Sequence, residues 1–399
     1  MKKQLLILSL LGSSFLIAQT PLTISDSIYS GGVYRKYMLY IPAIYNSAHS
    51  VPLVFDIHGY NCNVDQQIKY GDFRPIADTA NFIIALPQAL GSTPAWKVLS
   101  TVDSGAADRA FIINLLDTIK SHYTINANKI FCAGYSQGGC MSYDMAALNN
   151  TNFAAIASVC GSMVPSHFAA CAPNRPTPVM QIHGTADIII PYDGSAGILN
   201  SAITTTNIDS LVKFWVAYNN CNKTPISSNI LNSNTSDGCT VAHYVYNGGD
   251  QGSSVELFKV INGGHTWPAV VVTGGHTVTN DSIGLGNKNM DFNASKEIWR
   301  FFSRQQSTLS ISTGIAEQPF LNSHSVDIFP NPSSGVFTLQ SAAKITSIEI
   351  TNVLGATVLS QQINADKAAV DLGSQANGVY FISIQTSEGT VNKKIVISH

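Results

Sequence analysis

The sequence predicts an α/β fold with a mostly parallel central sheet, followed by a small all-β sandwich. Two observations carry the first part. Apolar runs at residues 52–57, 178–183 and 255–261 read as buried strands, and each runs into a glycine-containing loop bearing a histidine or an acid. A further apolar run at 129–134 ends in Gly134-Tyr135-Ser136-Gln137-Gly138, with a helix-forming segment, residues 141–148, just beyond. The second part rests on short alternating runs separated by turn signals after residue 325.

The strand, sharp turn and helix around Ser136 are the context in which Gly-x-Ser-x-Gly means a nucleophile elbow of the α/β-hydrolase fold. A serine in such a turn is strained, and a Cβ at residue 134 or 138 would crowd the helix against the strand. This elbow predicts a chain order of serine, acid, histidine. Residues 178–183 lead into Gly184-Thr185-Ala186-Asp187, which puts a carboxylate just past a strand end. Residues 255–261 lead into Asn262-Gly263-Gly264-His265-Thr266-Trp267-Pro268, which puts an imidazole on a glycine-rich loop. Open α/β sheets bind ligands at the carboxyl ends of their strands, so all three side chains are expected at one crevice.

Each assignment has a rival. Gly274-Gly275-His276-Thr277 repeats the histidine tetrapeptide. His265 is preferred because it leaves a strand directly and precedes Trp-Pro, which stiffens the loop. Asp193 follows Pro191-Tyr192, further from its strand end than Asp187. His58 and His183 read as hydrogen-bonded structural residues. The oxyanion hole is assigned to the backbone N–H groups of Tyr60, after the strand at 52–57, and Gln137, after the nucleophile.

Val54-Phe55-Asp56-Ile57-His58-Gly59, the Ser136 motif with Met141-Ser142-Tyr143 after it, His183-Gly184-Thr185-Ala186-Asp187 and Gly263-Gly264-His265-Thr266-Trp267-Pro268 together resemble the secreted polyhydroxybutyrate depolymerase/feruloyl esterase group. That group overlaps carbohydrate esterase family 1. The resemblance spans residues 25–304. It implies a serine esterase with no cofactor, and it leaves open whether the ester is feruloyl, acetyl or a microbial polyester. Similar esterases carry a cysteine pair at the place of Cys221 and Cys239. Cys160 and Cys171 form a second candidate pair. Cys132 reads as a buried thiol on a central strand, Cys140 lies on the other side of the nucleophile, and Cys62 is left open. Tyr60, Trp96, Tyr192 and Trp267 are candidates for an aromatic cleft, with buried packing as the rival role for Trp96 and Trp267.

Residues 1–19 have a basic start and a short apolar core, which reads as a secretory signal peptide cleaved near Ala18 or Gln19. No later segment suggests a membrane span. Charged residues make up 12% of the chain, against a typical ~25%, and Asn, Ser, Thr and Gly fill the surface instead, as suits an exported protein. The net charge of −2 gives no basic footprint for nucleic acid. No C-x-x-C or H-x-x-x-H spacing occurs, so metal binding is not indicated.

The esterase domain is expected over residues 20–304, closed by an amphipathic helix that Asn293 caps. A Ser/Thr-rich linker is expected over 305–325. Residues 326–399 then show Pro330-Asn331-Pro332, Asn352-Val353-Leu354-Gly355, Gly378-Val379-Tyr380-Phe381 and a Lys393-Lys394-Ile395-Val396 finish. These resemble the C-terminal sorting domain of the type IX secretion system, which implies the secretion machinery as a partner and an extracellular or cell-surface location. A polymer-binding module is the rival reading. The expected function is hydrolysis of plant cell-wall polysaccharide esters. The alternatives are an extracellular polyester depolymerase and, more remotely, a non-catalytic secreted binding protein.

Overall fold

The computed structural model describes residues 20–148, 151–198, 204–268, 285–307, 326–352, 356–387 and 389–399. The chain divides into two compact units, residues 1–308 and 309–399. The expected signal peptide, His276 and most of the expected linker lie outside the described residues.

The first unit runs β1 (Leu22–Ser30), β2 (Val33–Ile41), β3 (Val51–Ile57), α1 (Val64–Tyr70), α2 (Arg74–Ala80), β4 (Ile83–Pro87), α3 (Ala106–His122) and β5 (Ile125–Tyr135). It continues through α4 (Gln137–Leu148), β6 (Ala155–Val159), α5 (Pro165–Ala169), β7 (Val179–Gly184), α6 (Ile208–Tyr218), β8 (Ile226–Asn229), β9 (Thr240–Tyr246), β10 (Val255–Ile261) and α7 (Ala294–Ser303). One ten-stranded sheet has the order β1-β2-β4-β3-β5-β6-β7-β10-β9-β8. The central strands from β4 to β10 pair in parallel. The pairs outside them are antiparallel.

The apolar runs are unbroken because both faces of the central strands are covered. Leu53, Phe55 and Ile57 of β3 point into one core with Phe111 and Leu115 of α3, Tyr143 of α4 and Trp215 of α6. Val54 points into the opposite core with Ile68 and Tyr70 of α1, Phe73, and Ile298, Phe301 and Phe302 of α7. Asn293 caps α7 through its side chain, which accepts from the Lys296 N–H at 2.9 Å. The same helix stacks Trp299 on Phe82 and Phe302 on Phe131. Burying a side chain of this size stabilises by about 1.5–3 kcal/mol, which holds α7 across the sheet.

The second unit is one five-stranded antiparallel sheet of β11 (Val326–Phe329), β12 (Val336–Asn352), β13 (Thr357–Asp371), β14 (Gly378–Thr386) and β15 (Gly389–Ile397). The expected runs at 336–339 and 345–350 are parts of the single strand β12. Its pairing with β13 shifts register between Gln340 and Ile345. A core of Val326, Phe337, Leu339, Ile350, Ile382 and Ile395 forms inside this unit.

The two expected disulfides are not formed, and all seven cysteines are free. The sheet itself separates the partners. Cys221 belongs to the α3–α4–α6 core and Cys239 to the α1–α2–α7 core. Cys160 lies in the latter, whereas Cys171 packs against the former. The Cys221 thiol turns to the Ser253 carbonyl at 3.8 Å and the Cys239 thiol to the Asp237 carbonyl at 3.6 Å. Thiol titration of the unreduced, unfolded protein is therefore expected to find seven thiols per chain. A count of five or three would show that bridges form.

Candidate active site

Ser136 stands between β5 and α4 with φ +56, the left-handed region that L residues avoid. The strain is held from both sides. A Cβ on residue 138 would lie 2.0 Å from the Ile57 carbonyl oxygen, and one on residue 134 would lie 2.2 Å from the Gly138 oxygen. The glycines let the first turn of α4 sit directly on the ends of β3 and β5. The N–H of Ser136 is tied to Val159 O at 2.8 Å and its carbonyl accepts from the Cys140 N–H at 3.0 Å. The residue is 7% exposed.

Asp187 follows the end of β7 in a tight turn. Its Oδ1 accepts from the N–H groups of Ile189 and Ile190 at 2.8 and 2.9 Å. Its Oδ2 faces Nδ1 of His265 at 2.7 Å, across 78 residues of chain. Nε2 of His183 stands 3.3 Å from the same oxygen. Burial works against a charge on Asp187, but His265 and His183 outweigh it and hold the carboxyl below the ordinary range. With Nδ1 donating to the carboxylate, Nε2 of His265 keeps its lone pair, as a general base requires.

Tyr135 joins the two halves of the site. Its hydroxyl donates to the His265 carbonyl at 2.5 Å, and the two rings lie 5.1 Å apart. The residue before Ser136 thus braces the loop that carries His265. That loop is pinned again where the His265 N–H donates to Leu285 O at 2.6 Å. Sequence reasoning missed this brace, because a tyrosine between Gly134 and Ser136 carries no sign of its partner.

The loop after β3 closes over Ser136. A Cβ on residue 59 would lie 3.2 Å from the Ser136 Cβ. Among the described residues, no backbone acceptor pairs with the N–H of Tyr60 or Gln137. The loop is clamped where the Asn61 N–H donates to Pro94 O at 2.8 Å and the Trp96 indole N–H to His58 O at 2.9 Å. The Trp96 backbone N–H reaches the Gln137 side chain at 3.1 Å.

Comparison with known proteins bears on this arrangement. Residues 89–223 match the Phospholipase/Carboxylesterase family. Residues 327–398 match the Secretion system C-terminal sorting domain. A bifunctional acetylxylan esterase/xylanase from Neocallimastix patriciarum is 26% identical over 179 residues, or 45% of this chain and 25% of that protein. A probable feruloyl esterase C from Aspergillus niger is 24% identical over 241 residues, or 58% of this chain and 82% of that protein. The solved acetyl xylan esterase from Aspergillus awamori overlaps 71% of this chain and 99% of its own, at 15% identity and a TM-score of 0.49. The chain joins a carboxylic ester hydrolase to a secretion sorting domain. A sorting domain of this kind marks a chain for type IX secretion to the cell surface or beyond. Among the described residues, no helix is long and apolar enough to cross a membrane.

Other candidate residues of the esterase fall elsewhere. Asp193 is exposed and spends its carboxylate on the Ser195 N–H at 2.9 Å. His183 is buried, with Nδ1 against the Gln181 amide and Nε2 donating to Ile190 O, both at 2.8 Å. The expected aromatic cleft is not built from Trp96, Tyr192 and Trp267. They are 1%, 9% and 3% exposed, and their polar atoms are used internally. The Tyr192 hydroxyl donates to Asp209, and the Trp267 indole donates to Ser295. Tyr60 alone of that set is open, at 47%. Cys132 and Cys140 are buried, and burial pushes both thiols up to about 12. Cys160 at the end of β6 offers its sulfur within 4.8 Å of ligand atoms of Asp187 and His265. It donates to the Thr266 carbonyl at 3.3 Å.

His58 braces the loop after β3 in its neutral form. Its Nε2 accepts from the Ala89 N–H at 3.0 Å and its Nδ1 lies 2.7 Å from Gly59 O. Burial lowers its pKa to about 4. The folded value lies below the ordinary ~6.5. The stability His58 contributes is therefore complete above pH ~6.5 and lost as pH falls through about 4, on the order of 3 kcal/mol. Denaturant titrations should show the wild type losing more stability than His58→Gln between those pH values. The difference between the two separates His58 from Asp56, whose burial raises its pKa and acts in the opposite direction. Parallel pH profiles for the two proteins would refute this account.

Proposed function

We propose that this esterase uses Ser136, His265 and Asp187 as a catalytic triad and removes acyl groups from plant cell-wall polysaccharides through an acyl-enzyme. The observation that carries the reading is the 2.7 Å bond between Asp187 and His265 Nδ1, on a loop that Tyr135 ties to the strained Ser136 turn. The substrate class is supported by relatives named as feruloyl and acetylxylan esterases.

In the first half-reaction, His265 Nε2 takes the Ser136 proton as the hydroxyl oxygen attacks the ester carbonyl. Asp187 holds the imidazole in the productive tautomer and stabilises the imidazolium. The unpaired N–H groups of Tyr60 and Gln137 meet the oxyanion, and such a donor is worth about 10²–10³ in rate. The bond to the alcohol then breaks, and His265 returns the proton to the departing oxygen. Water repeats the sequence on the acyl-Ser136 ester and releases the acid.

The test is release of ferulate from feruloylated arabinoxylan fragments, followed by chromatography. Wild type should release it, and Ser136→Ala and His265→Ala should each lose at least about 10³-fold in turnover while staying folded. Release from Ser136→Ala at wild-type rates would overturn the mechanism. Cleavage of polyhydroxybutyrate but of no polysaccharide ester would overturn the substrate class.

A further inference from the structure

An open groove of about 720 Å³ lies beside the oxyanion loop, within the size range of ligand sites, about 300–1,000 Å³. Its floor is one face of the β1–β2 hairpin. Ser25, Ser27 and Tyr29 sit on that face opposite Met38, Lys36 and Tyr34, since alternate residues of a strand share a face. One wall comes from Asn63 and Asp65 and the other from the segment 88–94.

Hydrogen bonds tie the groove to the loop that lies against Ser136. Gln88 lines it and receives the Val64 N–H at 3.1 Å, and its amide stands 3.1 Å from His58. Pro94 also lines it and holds the Asn61 N–H. The loop that begins at Gly59, against Ser136, thus ends at Asn63 in the groove wall.

The lining has the chemistry of a polyol site. Serine hydroxyls, the Asn63 amide, the Lys36 ammonium and the Asp65 carboxylate supply donors and acceptors side by side. The lining holds one cation, Lys36, and two carboxylates, Asp26 and Asp65, so there is no cationic surplus for a polyanion. Tyr34 also lines the groove, and it forms an edge-to-face pair with Tyr29, with ring centroids 5.4 Å apart. Tyr29 and Tyr34 are 66% and 71% exposed. Nothing described covers these rings, and an aromatic face beside hydroxyl-binding groups suits a sugar ring, with its apolar C–H face and polar rim. A polyester chain, which offers carbonyl acceptors and no donors, would leave the Asp65 carboxylate without a partner.

We infer that this groove binds the neutral sugar chain that carries the ester, with Tyr34 as its stacking platform. The inference rests on the esterase reading for its direction: the chain runs from the groove to present its acyl group at Ser136. Lost stacking on one exposed ring is expected to weaken binding about tenfold.

The test titrates xylohexaose, which carries no ester, into the full-chain Ser136→Ala protein by calorimetry. Binding should be seen, about tenfold weaker when Tyr34→Ala is added and retained with Tyr34→Phe, which keeps the ring. No binding, or equal binding by all three proteins, overturns the inference. A kinetic arm compares kcat/KM on a feruloylated xylo-oligosaccharide with kcat/KM on methyl ferulate. Their ratio should fall about tenfold in Tyr34→Ala. If the wild type cleaves methyl ferulate and the ratio does not change, the groove proposal fails and the esterase stands. If xylohexaose binds through Tyr34 but no ester is cleaved, the groove stands as a sugar site and the esterase reading fails.

Discussion

The first turn of α4 rests against the end of β3 so closely that a Cβ on residue 138 would be 2.0 Å from the Ile57 oxygen. That contact forces the chain to leave β5 through a left-handed residue, and the residue is Ser136. It leaves the N-terminus of α4, where the peptide dipoles favour negative charge, directly after Ser136. It also brings Gly59 against Ser136 and sets Tyr135 where its hydroxyl reaches His265. One backbone approach therefore positions the serine, the loop after β3 and the brace on the histidine loop.

Electrostatics complete the arrangement. Asp187 is buried, which by itself disfavours its charge, yet two backbone N–H groups and two imidazoles surround it. A carboxylate held this way stays ionised across the working pH range and fixes the tautomer of its partner. His58 shows the opposite treatment. Burial without an acid keeps it neutral, so it serves the loop after β3 as a hydrogen-bonding strut.

Much of this was legible from the chain. The parallel sheet could be read because its strands are buried on both faces and so unbroken in apolar character. The elbow could be read because only glycine fits at residues 134 and 138. Contacts that depend on which face a residue occupies were not legible. The cysteine pairs failed because the sheet lies between their members. Trp96 and Trp267 sit on loops near the site, but their indole N–H groups turn inward to His58 and Ser295. In the C-terminal unit, β13 escaped notice because Thr357–Asp371 has only Ile363 and Val370 buried among its larger apolar residues. The groove beside β1 and β2 has no motif at all, since it is made by a hairpin face that the helices leave uncovered.

The central claim is that Ser136 is the activated nucleophile. The most direct measurement is covalent labelling of the full-length protein with a fluorophosphonate, followed by mass spectrometry of the digested adduct. A single modification mapped to Ser136, suppressed by prior incubation with an ester substrate, is the result this account predicts. No adduct on a folded protein, or an adduct on another residue while ester cleavage continues, would contradict it.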